Sequence, residues 1–204
     1  MAEITIQATA DIADATLDAN LPTTNYASDN TIYAGHVATT YRLAIKFDLS
    51  DIPAGATINS AVLSIRASVD NSTNARTFRV YRVLRAWTEA GITWNKYDGI
   101  SDWGTAGCSN TTTDREAADI GSRAFTATET LNEFKDFTLT ASAIQEMITG
   151  GAFTNKGFLI QADTESADNY GFNSSENGTE GNNPKLVVTY TSGGGTLDLT
   201  SKSW

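Results

Sequence analysis

Cysteine, histidine and basic residues are scarce in this chain, and each scarcity removes a class of protein. Cys108 is the only cysteine in 204 residues, so no disulfide can form within the chain. His36 is the only histidine. A zinc site of several His or Cys ligands is therefore excluded by count. No Ser or Cys motif sits near His36 to make a nucleophilic triad, and no G-x-S-x-G or phosphate-cradling glycine loop is present. Lys and Arg number 14 against 24 Asp and Glu, for a formal net charge of −10. The basic residues are scattered, so nucleic acid is not an expected partner, because affinity for phosphates needs clustered Lys and Arg. No run approaches the ~18 apolar residues of a membrane helix, so membrane insertion is not expected either. The N-terminal MAEITIQATAD lacks the basic and apolar regions of a secretory signal. Charged residues make up only 19 %, and Thr, Ser, Asn, Gly and Ala are abundant, a mixture poor in long helices and common in exposed β-proteins.

Alternation supplies what composition does not. Leu43, Ile45, Phe47 and Leu49 alternate with Arg42, Ala44, Lys46 and Asp48, the period of a strand with one buried and one wet face. Ser50 to Ala56 interrupts with Pro53 and Gly55, and Ala61, Leu63, Ile65, Ala67 and Val69 then alternate again. Two amphipathic strands around a Pro-Gly connection predict an antiparallel hairpin. Thr77–Leu84, Phe134–Leu139, Gly157–Ala162, Tyr170–Ser174 and Lys185–Thr191 read as further strands, with weaker ones at Ile4–Ile6, Ala15–Leu17 and Thr31–Ala34. Ala86 to Cys108 is irregular and carries Trp87, Trp94 and Trp103. One short helix is predicted over 142–149, where Ile144, Met147 and Ile148 form a stripe, Ser142 with Gln145 reads as a capping box, and Gly150-Gly151 stops the helix. The expected organisation is one β domain over 1–191 and a Gly-linked tail over 192–204. Leu43, Ile45, Phe47, Leu63, Ile65, Phe158, Ile160 and Val188 are the expected core.

Several stretches together resemble the DNRLRE-type, or disaggregatase-related, domains. They are ADATLDANLPTTNYASDNTIYAG (13–35), YRLAIKFDLSDIPAGATINSAVLSI (41–65), VYRVLRAWTEAGITWN (80–95), NKGFLIQADTES (155–166) and NNPKLVVTY (182–190), in the family's order. KFDLSDIPAGATINSAVL and AWTEAGITWN are the most specific. Where the family often has Asn-Tyr-Gly, this chain has Asn25-Tyr26-Ala27. The resemblance implies an antiparallel jelly-roll β-sandwich grouped with carbohydrate-binding modules. It implies a non-catalytic module that recognises a cell-surface or extracellular glycan or packs in an extracellular assembly.

Sugar binding uses an exposed aromatic face that stacks on pyranose C–H groups, beside amide or carboxylate partners. Tyr26, Tyr33, Trp94, Tyr97, Trp103 and Tyr170 are candidates. Trp87 and Trp94 belong to the resemblance's own fold signature and are expected inside. Tyr97 and Trp103, in a loop outside it, and Tyr170 are the expected ligand-binding residues. Ca²⁺ is the expected cofactor if there is one, since it takes hard oxygen ligands. Its candidate ligands are Asp11, Asp14 and Asp18 near the N-terminus, and Asp163, Glu165 and Asp168 after GFLIQA; solvated loop carboxylates are the plainer alternative. Leu197, Leu199 and Trp204 in the tail are expected to bind a partner, the chain's own assembly subunits. The leading expectation is a virion structural protein, a capsid decoration or tail component at the virion surface. The alternative is an extracellular carbohydrate-binding module of a secreted glycan-degrading enzyme or adhesin. A bound Ca²⁺ would make EDTA lower the melting temperature, and an unchanged melting curve would leave plain solvated carboxylates.

Overall fold

The computed structural model of the protein describes residues 1–192. The expected partner-binding residues Leu197, Leu199 and Trp204 lie outside the described residues. The described chain is all-β with one short helix. Its strands are β1 (Ala2–Ile6), β2 (Ile12–Asp18), β3 (Thr31–Val37), β4 (Thr39–Phe47), β5 (Thr57–Asp70), β6 (Arg76–Arg82), β7 (Gly121–Phe125), β8 (Phe134–Leu139), β9 (Phe158–Ala162), β10 (Asn169–Asn173) and β11 (Lys185–Thr191). The helix α1 spans Ala141–Met147.

Every ladder is antiparallel, and the ladders run round a ring: β5, β10, β3, β4, β9, β6, β7, β8 and back to β5. The expected jelly-roll sandwich of two separate sheets is thus replaced by a closed eight-stranded barrel. The physical reason lies in β5. Ala61 pairs with Leu139 of β8 on one edge and with Val188 of β11 on the other. Further along, β10 takes over from β11, pairing Ala67 with Phe172 and Asp70 with Tyr170. A strand this long serves two neighbours end to end, so the sheet turns a corner without ending. A similar fork occurs at β4. Leu43 pairs with Thr16 of β2 and Ile160 of β9, while Tyr41 pairs with Asp18 of β2 and Gly35 of β3.

The predicted hairpin around Pro53 and Gly55 does not form. β4 pairs with β2, β3 and β9, and β5 with β8, β10 and β11. The connecting segment is an arch across one end of the barrel. It buries Leu49, Ile52 and Ala56 and is held by Ile52 N–H to Leu49 O and Ala56 N–H to Pro53 O. Apolar side chains every three or four residues turn this stretch into a cover for the core, where a two-residue turn would have paired the strands directly.

All eight expected core residues are buried, from Leu43 and Ile45 through Val188. Phe78, Phe125, Phe137, Tyr170 and Phe172 fill the middle of the barrel; the Phe125 and Tyr170 ring centroids lie 4.8 Å apart. A second core lies outside the wall. Ala15, Leu17, Ala44 and Leu159 point outward and are covered by Val83, Trp87, Ile92, Trp103 and Cys108. The irregular segment between β6 and β7 is therefore a lid on the wall, which is why it is rich in Trp.

The helix forms one residue early, and its capping box does not. Thr140 is the N-cap, without a side-chain hydrogen bond. Gln145 instead reaches the arch: its Oε1 accepts from Ile58 N–H at 2.7 Å and its Nε2 donates to Ala56 O at 2.7 Å. Gln145→Ala should leave that buried donor and acceptor without partners and cost about 1–3 kcal/mol in denaturant unfolding. Ser142→Ala, at an exposed position, should stay within about 0.5 kcal/mol. The opposite ranking would restore the capping box.

Candidate functional site

The open cleft with the most aromatic lining lies where the end of β2 faces β3. It holds about 350 Å³ and is lined by Thr16, Asp18, Tyr26, Asp29, Tyr33, Val37, Tyr41, Asn71 and Asn169. Each wall has a local cause. Asp14, Thr16 and Asp18 alternate with Ala15 and Leu17 along β2. Burying the apolar pair under the Trp-rich lid turns Thr16 and Asp18 to the opposite face. The tight β3–β4 connection turns at Ala38, with φ 61°, and sets Tyr33 beside Tyr41 with ring centroids 5.8 Å apart. Tyr33 crosses over Gly171 of β10: a Cβ there would come within 2.8 Å of its ring. The glycine lets the ring lie against the sheet. Tyr33 N–H is also anchored on Thr16 Oγ1 at 2.9 Å.

Tyr26 comes from the β2–β3 loop, which is tied to the lid. Asn25 Nδ2 donates to Glu89 O and Ile92 O, both at 2.7 Å, and Asn95 N–H donates to Pro22 O. The Tyr26 hydroxyl donates to Asp18 Oδ2 at 3.0 Å. Asp18 Oδ1 accepts from Asn20 N–H at 2.8 Å. Burial, then the hydrogen bond to Asp18 and its charge, push the Tyr26 phenol up to about 12. Burial and the same carboxylate raise Tyr41. Both phenols are thereby held neutral, as donors. On the far wall Asn71 Nδ2 donates to Asn169 Oδ1 at 2.9 Å.

The residues expected to bind sugar sit elsewhere, and packing explains each. Tyr170 is fully buried, surrounded by Phe78, Phe125 and Phe172, with its hydroxyl on Ser72 Oγ and Thr126 O at 2.6 Å. Trp103 is buried in the outer core, its Nε1–H donating to Thr93 O. Tyr97 lies between Trp103 and the Arg85 guanidinium. Trp94 lies between Arg42 and Gly107. Of the wider candidate set, Tyr26 and Tyr33 do reach the cleft. Tyr41, not among the candidates, joins them. Its signal was its place at the wet start of β4, beside the turn that brings back Tyr33.

Neither expected metal cluster assembles. Asp14 and Asp18 lie four residues apart on one strand, about 13 Å, too far to share one ion at ~2.3–2.6 Å. Asp168 is taken by the N–H groups of Thr73 and Asn74 and by Arg76 at 2.7 Å. Glu165 is held by Arg42 at 2.7 Å. Asp163 is exposed and Asp11 half-buried. Among the described residues no three His, Cys, Asp or Glu side chains converge as metal ligands.

Asp14 has a different role. It is fully buried, accepts from Ser175 N–H at 2.9 Å through Oδ2, and leaves Oδ1 without a partner. Burial first, and the charges of Glu176 and Glu89, raise it to about 7. Burial also raises Glu89. Asp14 has no exposed surface and lies outside the cleft lining, and its burial favours the neutral form.

A family model described as the disaggregatase related repeat domain matches residues 14–188. No curated protein matches the chain. The match begins at Asp14 and ends at Val188, so it takes in every residue lining the cleft.

Because the folded-state value of Asp14 lies above its ordinary 3.8, the native state holds a proton that the unfolded chain releases earlier. The stability from that proton is present below about pH 4 and is lost as pH rises through about 7. The loss should be on the order of a few kcal/mol. Melting temperatures of the protein and of Asp14→Asn, measured from pH 4 to 8, should diverge: the parent falls relative to the variant, which keeps the acceptor for Ser175 N–H. Parallel curves would remove Asp14 from the titration.

Proposed function

Because the chain belongs to the disaggregatase related repeat domain family, we propose that its barrel is a non-catalytic saccharide-binding module and that the tyrosine cleft is its sugar site. One observation carries the reading. Tyr26, Tyr33 and Tyr41 share a single open cleft with Asp18, Asp29, Asn71 and Asn169. Aromatic rings present apolar surface to the C–H faces of a pyranose, and the amides and carboxylates around them take its hydroxyls. A few placed polar groups among aromatic walls fix orientation in this way.

The non-catalytic part of the reading has its own support. Cys108 is buried, and burial, then the charge of Asp114, push its thiol far above the usual range, so a thiolate nucleophile is disfavoured. His36 sits on β3 with Nδ1 against Thr40 Oγ1 at 3.2 Å, outside the cleft lining. Display on a virion or other particle would be a second property, carried by the tail and not by this cleft.

A glycan array probed with the intact protein should return a saccharide ligand, and calorimetry with that ligand should show about a tenfold or greater loss on Tyr33→Ala. Tyr97→Phe, outside the cleft lining, should bind like the parent. The ligand should be recovered uncleaved after long incubation. An empty array would end the saccharide reading, and release of new reducing ends would end the non-catalytic one.

A further inference from the structure

The cleft is acidic as well as aromatic, and the charge in it is uncompensated. Asp18 is 5 % exposed. Its hydrogen-bond donors are the Asn20 N–H, the Tyr26 hydroxyl and, at 3.5 Å, the Thr39 hydroxyl. All three are neutral. Among the described residues neither Asp18 nor Asp29 forms an ion pair, and no Lys, Arg or His lines the cleft. Two other buried carboxylates are paired with a cation, while buried Asp14, which forms no ion pair among the described residues, lies outside the cleft lining. Asp168 and Asp114, both without exposed side-chain surface, meet Arg76 at 2.7 Å and Arg85 at 3.6 Å. A charge held away from water without a counter-ion is costly, and the fold supplies one to Asp168 and Asp114.

The cleft therefore offers a cation two things: a carboxylate with no counter-ion, and the faces of three tyrosines. Ammonium groups bind to such combinations of aromatic rings and acid. Resting on the saccharide reading above, we propose that the cleft selects a sugar bearing a free, protonated amine, a hexosamine whose nitrogen is not acetylated. The ammonium sits against Asp18, with Asp29 at the rim, and the pyranose lies against the tyrosines. Uronate, sulfated and sialylated sugars are disfavoured, because each would set an anion beside two aspartates and no base.

The selectivity is read by calorimetry at physiological salt with three oligosaccharides of matched length. One is a β-1,4-glucosamine oligomer, the second its fully N-acetylated counterpart, and the third a galacturonate oligomer. Tetramethylammonium is the sugar-free cation. The glucosamine oligomer should bind at least about tenfold tighter than the acetylated one, and the galacturonate not at all. Asp18→Asn should erase that preference, and Asp29→Asn should reduce it. Asp163→Asn removes the same charge outside the cleft and should change nothing. That control separates site recognition from attraction of a polycation to a chain of net charge −10.

If the acetylated oligomer binds as well as the free amine, or the galacturonate binds, the ammonium inference is wrong and the saccharide reading stands. Binding of tetramethylammonium alone, with no sugar bound, keeps the cation site but overturns the sugar. Binding of none of the four overturns the inference. Should Asp18→Asn fail to fold, the oligosaccharide series and the exposed Asp29→Asn decide the question.

Discussion

The pairing of β5 on both of its edges is the constraint on which the rest of the structure depends. One edge meets β8, and the other meets β11 and then β10. Strands β8, β10 and β11 pair with it directly, and the ring of ladders that carries the core closes through it. The sequence requirement is severe. Ala61, Leu63, Ile65 and Ala67 keep a period of two without exposed surface across the point where β10 takes over from β11. The change of partner is accommodated by register shifts, between Thr189 and Tyr190 on β11 and between Gly171 and Phe172 on β10. Such bulges bend a sheet. The second of them falls beside the glycine that seats Tyr33, so the feature that closes the barrel also shapes the cleft.

The cleft illustrates a division of labour between rigid and adjustable parts. Thr16, Asp18, Tyr33 and Tyr41 stand on paired strands. Tyr26 and Asp29 stand on a loop that Asn25 and Pro22 tie to the lid through the carbonyls of Glu89 and Ile92 and the amide of Asn95. The Trp-rich lid thus positions one wall of the cleft without entering it. Its tryptophans are spent on covering Ala15, Leu17, Ala44 and Leu159.

Periodic features of the fold were legible in the sequence, and relations between distant segments were not. Alternation identified β4, β5, β6, β9 and β11 and all eight core residues, because burial of one strand face is a local pattern. The partner of a strand is not local. Pro53 and Gly55 announced a reversal, but whether the strands on either side then pair depends on where Leu49, Ile52 and Ala56 find cover. The capping box failed similarly, since Gln145 found one backbone group in the arch and one at the start of β5. β7, GSRAF, alternates too briefly to stand out. At the site, a loop position outside the fold signature does not mean exposure: Trp103 is buried, and the Tyr97 ring packs on it at a tilt, 5.6 Å between centroids. Tyr26 and Tyr33 were visible as aromatics in polar surroundings. Their convergence with Tyr41 required the β3–β4 register. The acidic residues misled because proximity in sequence along a strand means distance in space, while Asp14 and Glu176, far apart in sequence, face each other.

Cys108 lies on the inner side of the lid, fully buried, with its Sγ 3.5 Å from Asp114 O and its backbone in the left-handed region at φ 58°. It is the only sulfhydryl in the chain. A thiol-reactive dye in solution meets it only when the lid lifts from the wall, so the labelling rate is a clock for that opening, read at one known position without engineering. Since the same lid holds the Tyr26 loop through Glu89, Ile92 and Asn95, that opening also frees one wall of the cleft, and a single sulfur reports on both.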